Sequence, residues 1–200
     1  MELLLATRNA HKAREFRELL GDTFTVRDLG AFPEITLPAE TGGTFAQNAR
    51  SKAIAVSRDR QLFVLADDSG LEVDALGGAP GVFSARYAGE GATDTEKVEK
   101  LLREMERVGT DKPAQRRARF RCVLALARAA KILGVFSGVV EGTIVDLARG
   151  SAGFGYDPVF LPNGFDQTFG ELPAHMKNQI SHRAQAVQAF RAAVRSGALS

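Results

Sequence analysis

The 200-residue chain has one cysteine, Cys122, which excludes an internal disulfide and any cysteine-cluster metal site. Strong charge of either sign is also missing. With 26 Lys and Arg against 24 Asp and Glu, the net charge is +2. That suits anionic small molecules but is too weak by itself to argue for nucleic acid. No apolar run approaches the ~20 residues needed to cross a bilayer. The opening "MELLLATRNAHK" lacks both a basic leader and a long apolar segment. It does not read as a signal peptide, and a cytoplasmic protein is expected. Glycine is absent where two common phosphate motifs require it, so the turn after the first apolar run is neither a Walker loop nor a Rossmann turn.

What is present is ordinary for a globular chain: 44% hydrophobic residues and 25% charged. The length fits one domain over residues 1–200, or two lobes sharing a core. "ELLLA" (2–6) and "LFVLA" (62–66) read as buried strands. A helix is expected over 11–20, with Ala13, Phe16, Leu19 and Leu20 on one face and Gly21 at its end. Residues 22–43 read as loop around short strands at most. Thr44 and Gln47 form a capping box that opens a helix over about 44–58. A long irregular stretch follows the second strand. Thr93 or Asp94 then caps a helix bearing Val98, Leu101, Leu102, Met105 and Val108. "RARFRCVLALA" and "ILGVFSGVVEGTIV" read as two long strands, and Cys122 falls in the first as a small buried hydrophobe. Ser181 caps a last helix to about Ser196. Strand–helix alternation early and paired strands late predict a mixed, twisted α/β sheet flanked by helices.

Three segments carry candidate chemistry. In "LLLATRNAHK" a strand, a polar turn and a helix start aim backbone N–H groups at whatever lies above the strand. Thr7, Asn9 and Lys12 add side chains that suit an anion, although a capped helix with a solvated lysine has the same pattern. Asn48 and Lys52, one helical turn apart, are either a solvated stripe or a second wall of an anion site. "FVLADDSGLEVDAL" (63–76) puts two carboxylates at the end of an apolar run, with Ser69 and Gly70 read as the strand's end. Side-chain alternation places Asp68 with Val64 and Ala66, and Asp67 on the other face. One of the two therefore lines a site, and the other caps a neighbouring turn. Glu40 is a third acid, just ahead of the capped helix. Mg²⁺ takes one or two protein carboxylates plus water and substrate phosphates, which Glu40 and Asp68 would satisfy. A plain Asp-Asp-Ser-Gly turn is the competing reading.

Taken together, "LATRNAHKAREF", "ETGGTFAQNARSKA", "LADDSGLEVDALGGAPGVFSARYAGEGATD", "GSAGFGYDPVF" and "ISHRAQA" resemble, in order, the blocks of the noncanonical purine nucleoside triphosphate pyrophosphatases. These are the inosine triphosphate, or dITP/XTP, pyrophosphatases. The resemblance spans about residues 3–195. It implies an elongated two-lobed α/β body with the site in a central cleft, a homodimer, and Mg²⁺-dependent hydrolysis of ITP, dITP and XTP to the monophosphate and pyrophosphate, which clears deaminated purines from the nucleotide pool. It also implies roles by position. Thr7, Arg8, Asn9, Ala10, His11 and Lys12 bind the triphosphate, as does Lys52. Glu40 and Asp68 hold the metal, Asp68 is also the general base, and Ser69 is a neighbouring substrate contact. Phe154, Gly155, Tyr156, Asp157, Lys177, His182 and Arg183 bind the nucleoside. Arg8 stands where the family usually has glycine. It is strained if that position needs a positive φ, and is otherwise a further phosphate contact.

The residues fit that chemistry. Phosphoryl transfer is mostly positioning and electrostatics. Arg183 carries donors only, so it matches the 6-oxo group of hypoxanthine or xanthine and mismatches the adenine amino group. Phe154 could stack on the base. Three alternatives stay open: a nucleotide or RNA binder using the basic "QRRARFRC" stretch, a Maf-like pyrophosphatase of pyrimidine nucleotides, and a purely structural role for these turns and caps.

Overall fold

The computed structural model describes residues 1–110 and 112–199, Pro113 by its backbone alone. Six strands form one mixed sheet in the order β2-β1-β3-β4-β5-β6. β1 (Glu2–Leu5) lies between β2 (Thr25–Asp28) and β3 (Phe63–Val73), parallel to both, with Leu4 opposite Arg27 and Val64. β6 (Phe160–Pro162) runs antiparallel to β5 (Lys131–Ile144). The expected mixed α/β sheet is what forms. Among the described residues no helix is long and apolar enough to cross a membrane.

The helices follow their caps. α1 (Ala10–Leu20) starts at Asn9, whose side chain accepts the Lys12 N–H, and ends at Gly21, whose amide donates back to Arg17. α2 (Phe45–Ser57) and α3 (Asp94–Arg107) open on reciprocal capping boxes, Thr44 with Gln47 and Thr93 with Glu96. Thr93, not Asp94, is therefore the cap. α4 (Ala174–Ile180) escaped the sequence reading, being only seven residues long and opening on Pro173 without a side-chain cap. α5 (His182–Arg195) begins directly after Ser181, as expected.

Two compact units emerge, Met1–Asp68 with Cys122–Gly138 and His182–Ser200, and Ser69–Arg121 with Val139–Ser181. β3, β4 (Arg117–Arg128) and β5 contribute residues to both. The first unit buries Leu3, Leu5 and Leu65 with Phe16, Leu20 and Phe190 from α1 and α5. The second packs Leu71, Val73, Leu101 and Met105 around Phe120, Phe160 and Phe169. One expectation fails: β3 does not stop at Ser69-Gly70 but runs on to Val73. Turn-forming side chains lose here because β1 and β4 flank the strand and buried partners satisfy the carboxylates.

β4 and β5 are joined by Ala129 and Ala130, both at positive φ (48° and 62°). Two positive φ values are the requirement of a type I′ turn, which favours Asn-Gly. Left-handed backbone costs an L-residue with a Cβ roughly 1–2 kcal/mol. The Ala130 N–H donates to Ser57 Oγ, a bond glycine would keep. Replacing Ala129-Ala130 with Asn-Gly should stabilise the protein by about 1 kcal/mol, read as a higher urea midpoint. An unchanged or lower midpoint would show that the turn is not strained.

Candidate active site

The site of the first unit is built on two consecutive β3 residues. Asp67 and Asp68 are both buried, at 6% and 5% exposure, on a strand whose side chains alternate. A buried carboxylate needs compensation, and each has its own. Asp67 Oδ2 accepts from Lys12 Nζ at 2.6 Å, and its Oδ1 lies 3.2 Å from the Cys122 thiol. Asp67 thus supports no turn, contrary to expectation. It anchors α1 to β3. Cys122 is buried, as its strand implied, but donates to Asp67 instead of merely filling space. Burial pushes the Asp67 carboxyl upward, yet Lys12, with Arg183 and Lys52 beyond it, holds it well below the usual carboxylate range.

On the other face, Asp68 Oδ2 accepts from Asn48 Nδ2 at 3.0 Å. Lys52 Nζ sits 2.8 Å from Glu40 Oε1 and 3.5 Å from Asp68 Oδ1. Asn48 and Lys52 are 2% and 5% exposed, so this stripe of α2 is not a solvated face. Asn48, paired with Lys52 in the sequence as a candidate wall of an anion site, joins two parts of the site. Its Oδ1 accepts the Gly42 N–H (2.8 Å) from the loop that carries Glu40. Burial raises the Asp68 carboxyl above its ordinary value, and Lys52 and Asn48 only partly offset that. Burial would lower the Lys52 ammonium, but Asp68, Asp67 and Glu40 outweigh it and the net direction is upward. Both directions mean that this corner favours added positive charge.

A hard cation fits such a donor set. Lys52 already stands in as a cation between the two carboxylates. Among the described residues no group of three or more His, Cys, Asp or Glu could hold a metal. Mg²⁺ needs only one or two carboxylates when substrate oxygens complete its shell.

The first loop is more internally committed than its sequence indicated. Thr7 Oγ1 accepts the Asn9 N–H, and Asn9 caps α1. Arg8 has no positive φ, so it is unstrained, and its guanidinium donates to the carbonyls of Leu29, Pro33 and Ile35 (3.4, 3.1 and 2.6 Å). It ties down the 29–35 loop. Ala10 and His11 are exposed in the first turn of α1, and Ser69 is half-buried in β3. His182 and Arg183 lie buried at the start of α5, where Arg183 Nη1 donates to Glu15 Oε2 of α1 at 2.8 Å. Gly138 of β5 allows that packing, because a Cβ there would overlap the His182 carbonyl and the Ala186 amide.

The other nucleoside-assigned residues gather in the second unit. Lys177 Nζ lies 2.6 Å from Asp157 Oδ2 and over the rings of Phe154 and Phe169, at 5.2 and 5.6 Å from their centroids. Asp157 Oδ2 also accepts the Phe154 N–H (2.9 Å), and the Tyr156 hydroxyl donates to the Ser84 carbonyl. Gly155, at φ 65°, directs its N–H to Asp94 Oδ2 at 2.6 Å. Asp94 therefore fixes this loop, a role its sequence position at a helix start concealed.

A sequence model of the Ham1 family matches residues 3–193. The chain belongs to the Ham1 family. It is 48% identical over 191 residues to the dITP/XTP pyrophosphatase of Bacillus licheniformis, covering 94% of each chain. It is 49% identical over 187 residues to that of Geobacillus kaustophilus, covering 93% of this chain and 90% of the relative. Among solved structures, a HAM1 protein from Coxiella burnetii superposes with a TM-score of 0.87 at 40% identity, covering 98% of this chain and 99% of that one. The Staphylococcus aureus Ham1 protein gives 0.86 at 38%, covering 98% and 100%.

The Asp67 pairing has a pH signature. Its carboxyl titrates lower in the folded than in the unfolded chain, where aspartate lies near ~3.9. The pairing therefore contributes stability above about pH 4 and loses it as pH falls toward the folded value. Asp67→Asn should cost about 2 kcal/mol at neutral pH and flatten the acid limb of stability below about pH 4. Urea unfolding at several pH values would read this. A variant with the same acid slope as the parent would remove Asp67 as its source.

Proposed function

We propose that this protein hydrolyses noncanonical purine nucleoside triphosphates, ITP, dITP and XTP, to the monophosphate and pyrophosphate with Mg²⁺, as a cytoplasmic homodimer. The observation that carries the reading is the Glu40–Lys52–Asp68 cluster, with Lys52 and Asp68 buried and Glu40 partly exposed, a donor set suited to a metal beside a phosphate-seeking lysine. The names of its close, full-length relatives support the same reaction.

In this reading Glu40 and Asp68 would hold Mg²⁺, which would supply charge neutralisation for the phosphates and Lewis acidity toward water. The Thr7–Lys12 loop and Lys52 engage the triphosphate, and Ser69 adds a neighbouring contact. Asp68 takes the proton of the attacking water. Phe154 stacks on the base, Gly155, Tyr156, Asp157 and Lys177 contact the nucleoside, and His182 and Arg183 contribute the donors that select a 6-oxo purine. The nucleic-acid alternative is not favoured. Arg119 is matched by Glu141, Asp74 and Glu72, and Arg121 by Glu72, so these basic side chains are already answered by carboxylates.

A panel of nucleoside triphosphates with Mg²⁺ should release pyrophosphate from ITP, dITP and XTP and little from ATP or the pyrimidine nucleotides. Orthophosphate as the direct product would overturn the reaction class. Asp68→Asn should keep the fold and lose turnover by about 10³-fold; near-normal rates would remove Asp68 from the mechanism.

Base choice has its own test. Arg183→Ala should lower kcat/KM for ITP far more than for ATP. An equal drop for both would mean that Arg183 does not read the base and instead supports α1 through Glu15.

A further inference from the structure

We propose that Lys52 and the divalent cation are alternative occupants of the Glu40–Asp68 carboxylate pair, so that metal binding displaces Lys52 and frees its ammonium for the triphosphate. This rests on the metal role given to Glu40 and Asp68 above. Lys52 Nζ lies 2.8 Å from Glu40 Oε1 and 3.5 Å from Asp68 Oδ1, and the side chain is only 7% exposed. Its charge fills the space that both carboxylates face. A magnesium ion bonds oxygen at ~2.0–2.1 Å and accepts little distortion. Held by these same carboxylates, it would put a double charge against the ammonium, whose side chain is 7% exposed.

The surroundings make an exchange feasible. Asn48 anchors both sides of the pair, with Asp68 on its Nδ2 and the Gly42 amide of the Glu40 loop on its Oδ1. The carboxylates therefore keep their places when the lysine leaves. Lysine is suited to that departure, since its charge sits on a flexible four-carbon stem. In the metal-free protein Lys52 compensates the buried acids. With metal bound, the same charge becomes available to phosphate oxygens. Metal and triphosphate then favour each other's binding, and by linkage the coupling is reciprocal.

The test is a titration of Mn²⁺ into the nucleotide-free protein. Lys52→Met removes the competing charge and should bind Mn²⁺ at least 10-fold more tightly than the parent; equal or weaker binding overturns the proposal. Should that variant fail to fold, the parent still answers the question. With lysine side chains labelled at Nζ, Mg²⁺ alone should move the Lys52 signal from a buried, carboxylate-bound position to a solvated one. A Lys52 signal unmoved by saturating Mg²⁺ sinks the exchange. Neither readout uses turnover, so a protein that exchanges Lys52 for metal yet cleaves none of the triphosphates would overturn the proposed reaction alone.

Discussion

Two lysine–carboxylate contacts on opposite faces of one strand hold the first unit's chemistry in place. Lys12 reaches Asp67 from α1, and Lys52 reaches Asp68 from α2. Each carboxylate is buried in the sheet and has its own lysine to offset its charge. Neither lysine would lie at its helix position without the carboxylate, least of all Lys12, whose charge opposes the dipole in the first turn of α1. The pairs therefore fix where both helices sit along β3. The loops that precede them, which carry Thr7–Asn9 and Glu40, follow from that placement.

Adjacent residues of the same type end in opposite electrostatic states. Asp67 is pulled down, because a close ammonium on one side and Arg183 beyond it overcome its burial. Asp68 is pulled up, because its lysine is more distant and shared with Glu40. Neighbouring carboxyls whose environments push them apart are suited to different tasks. Asp67 is a fixed counter-ion with structural work. Asp68 can gain and lose positive partners, whether a proton, an ammonium or a metal.

Much of this was legible in the sequence where the cause is local. The capping boxes at Thr44 and Thr93, the Asn9–Lys12 helix start and the buried apolar strands each depend on residues within about one turn of each other. The division of Asp67 from Asp68 followed from alternation alone. What misled was long-range. Asp-Asp-Ser-Gly has turn composition, and only partners far away in the chain, such as Lys12 at a separation of 55, let it run on as strand. Arg8 looked free for phosphate because nothing local shows that the carbonyls of residues 29–35 fold back to it. Asp94 read as a candidate cap of α3, while its oxygen serves Gly155, 61 residues on. α4 was missed because a seven-residue segment has too few positions to show a helical period.

The second unit repeats the logic with different surroundings. Lys177 is 4% exposed, held by Asp157 and faced by two aromatic rings. A buried ion pair of this kind adds little to stability, and apolar residues of similar volume would often serve the fold as well or better. Cation–π contact offsets part of the desolvation but does not explain why a charge is there at all. The same holds for Lys52 between Glu40 and Asp68. In both places the fold bears the cost of burying an ammonium against a carboxylate that already has another donor: Asn48 for Asp68, and the Phe154 amide for Asp157. Each lysine can therefore turn to an incoming anion without leaving its carboxylate bare. That redundancy, more than the ion pairs themselves, is what separates a site built to exchange partners from one built only to pack.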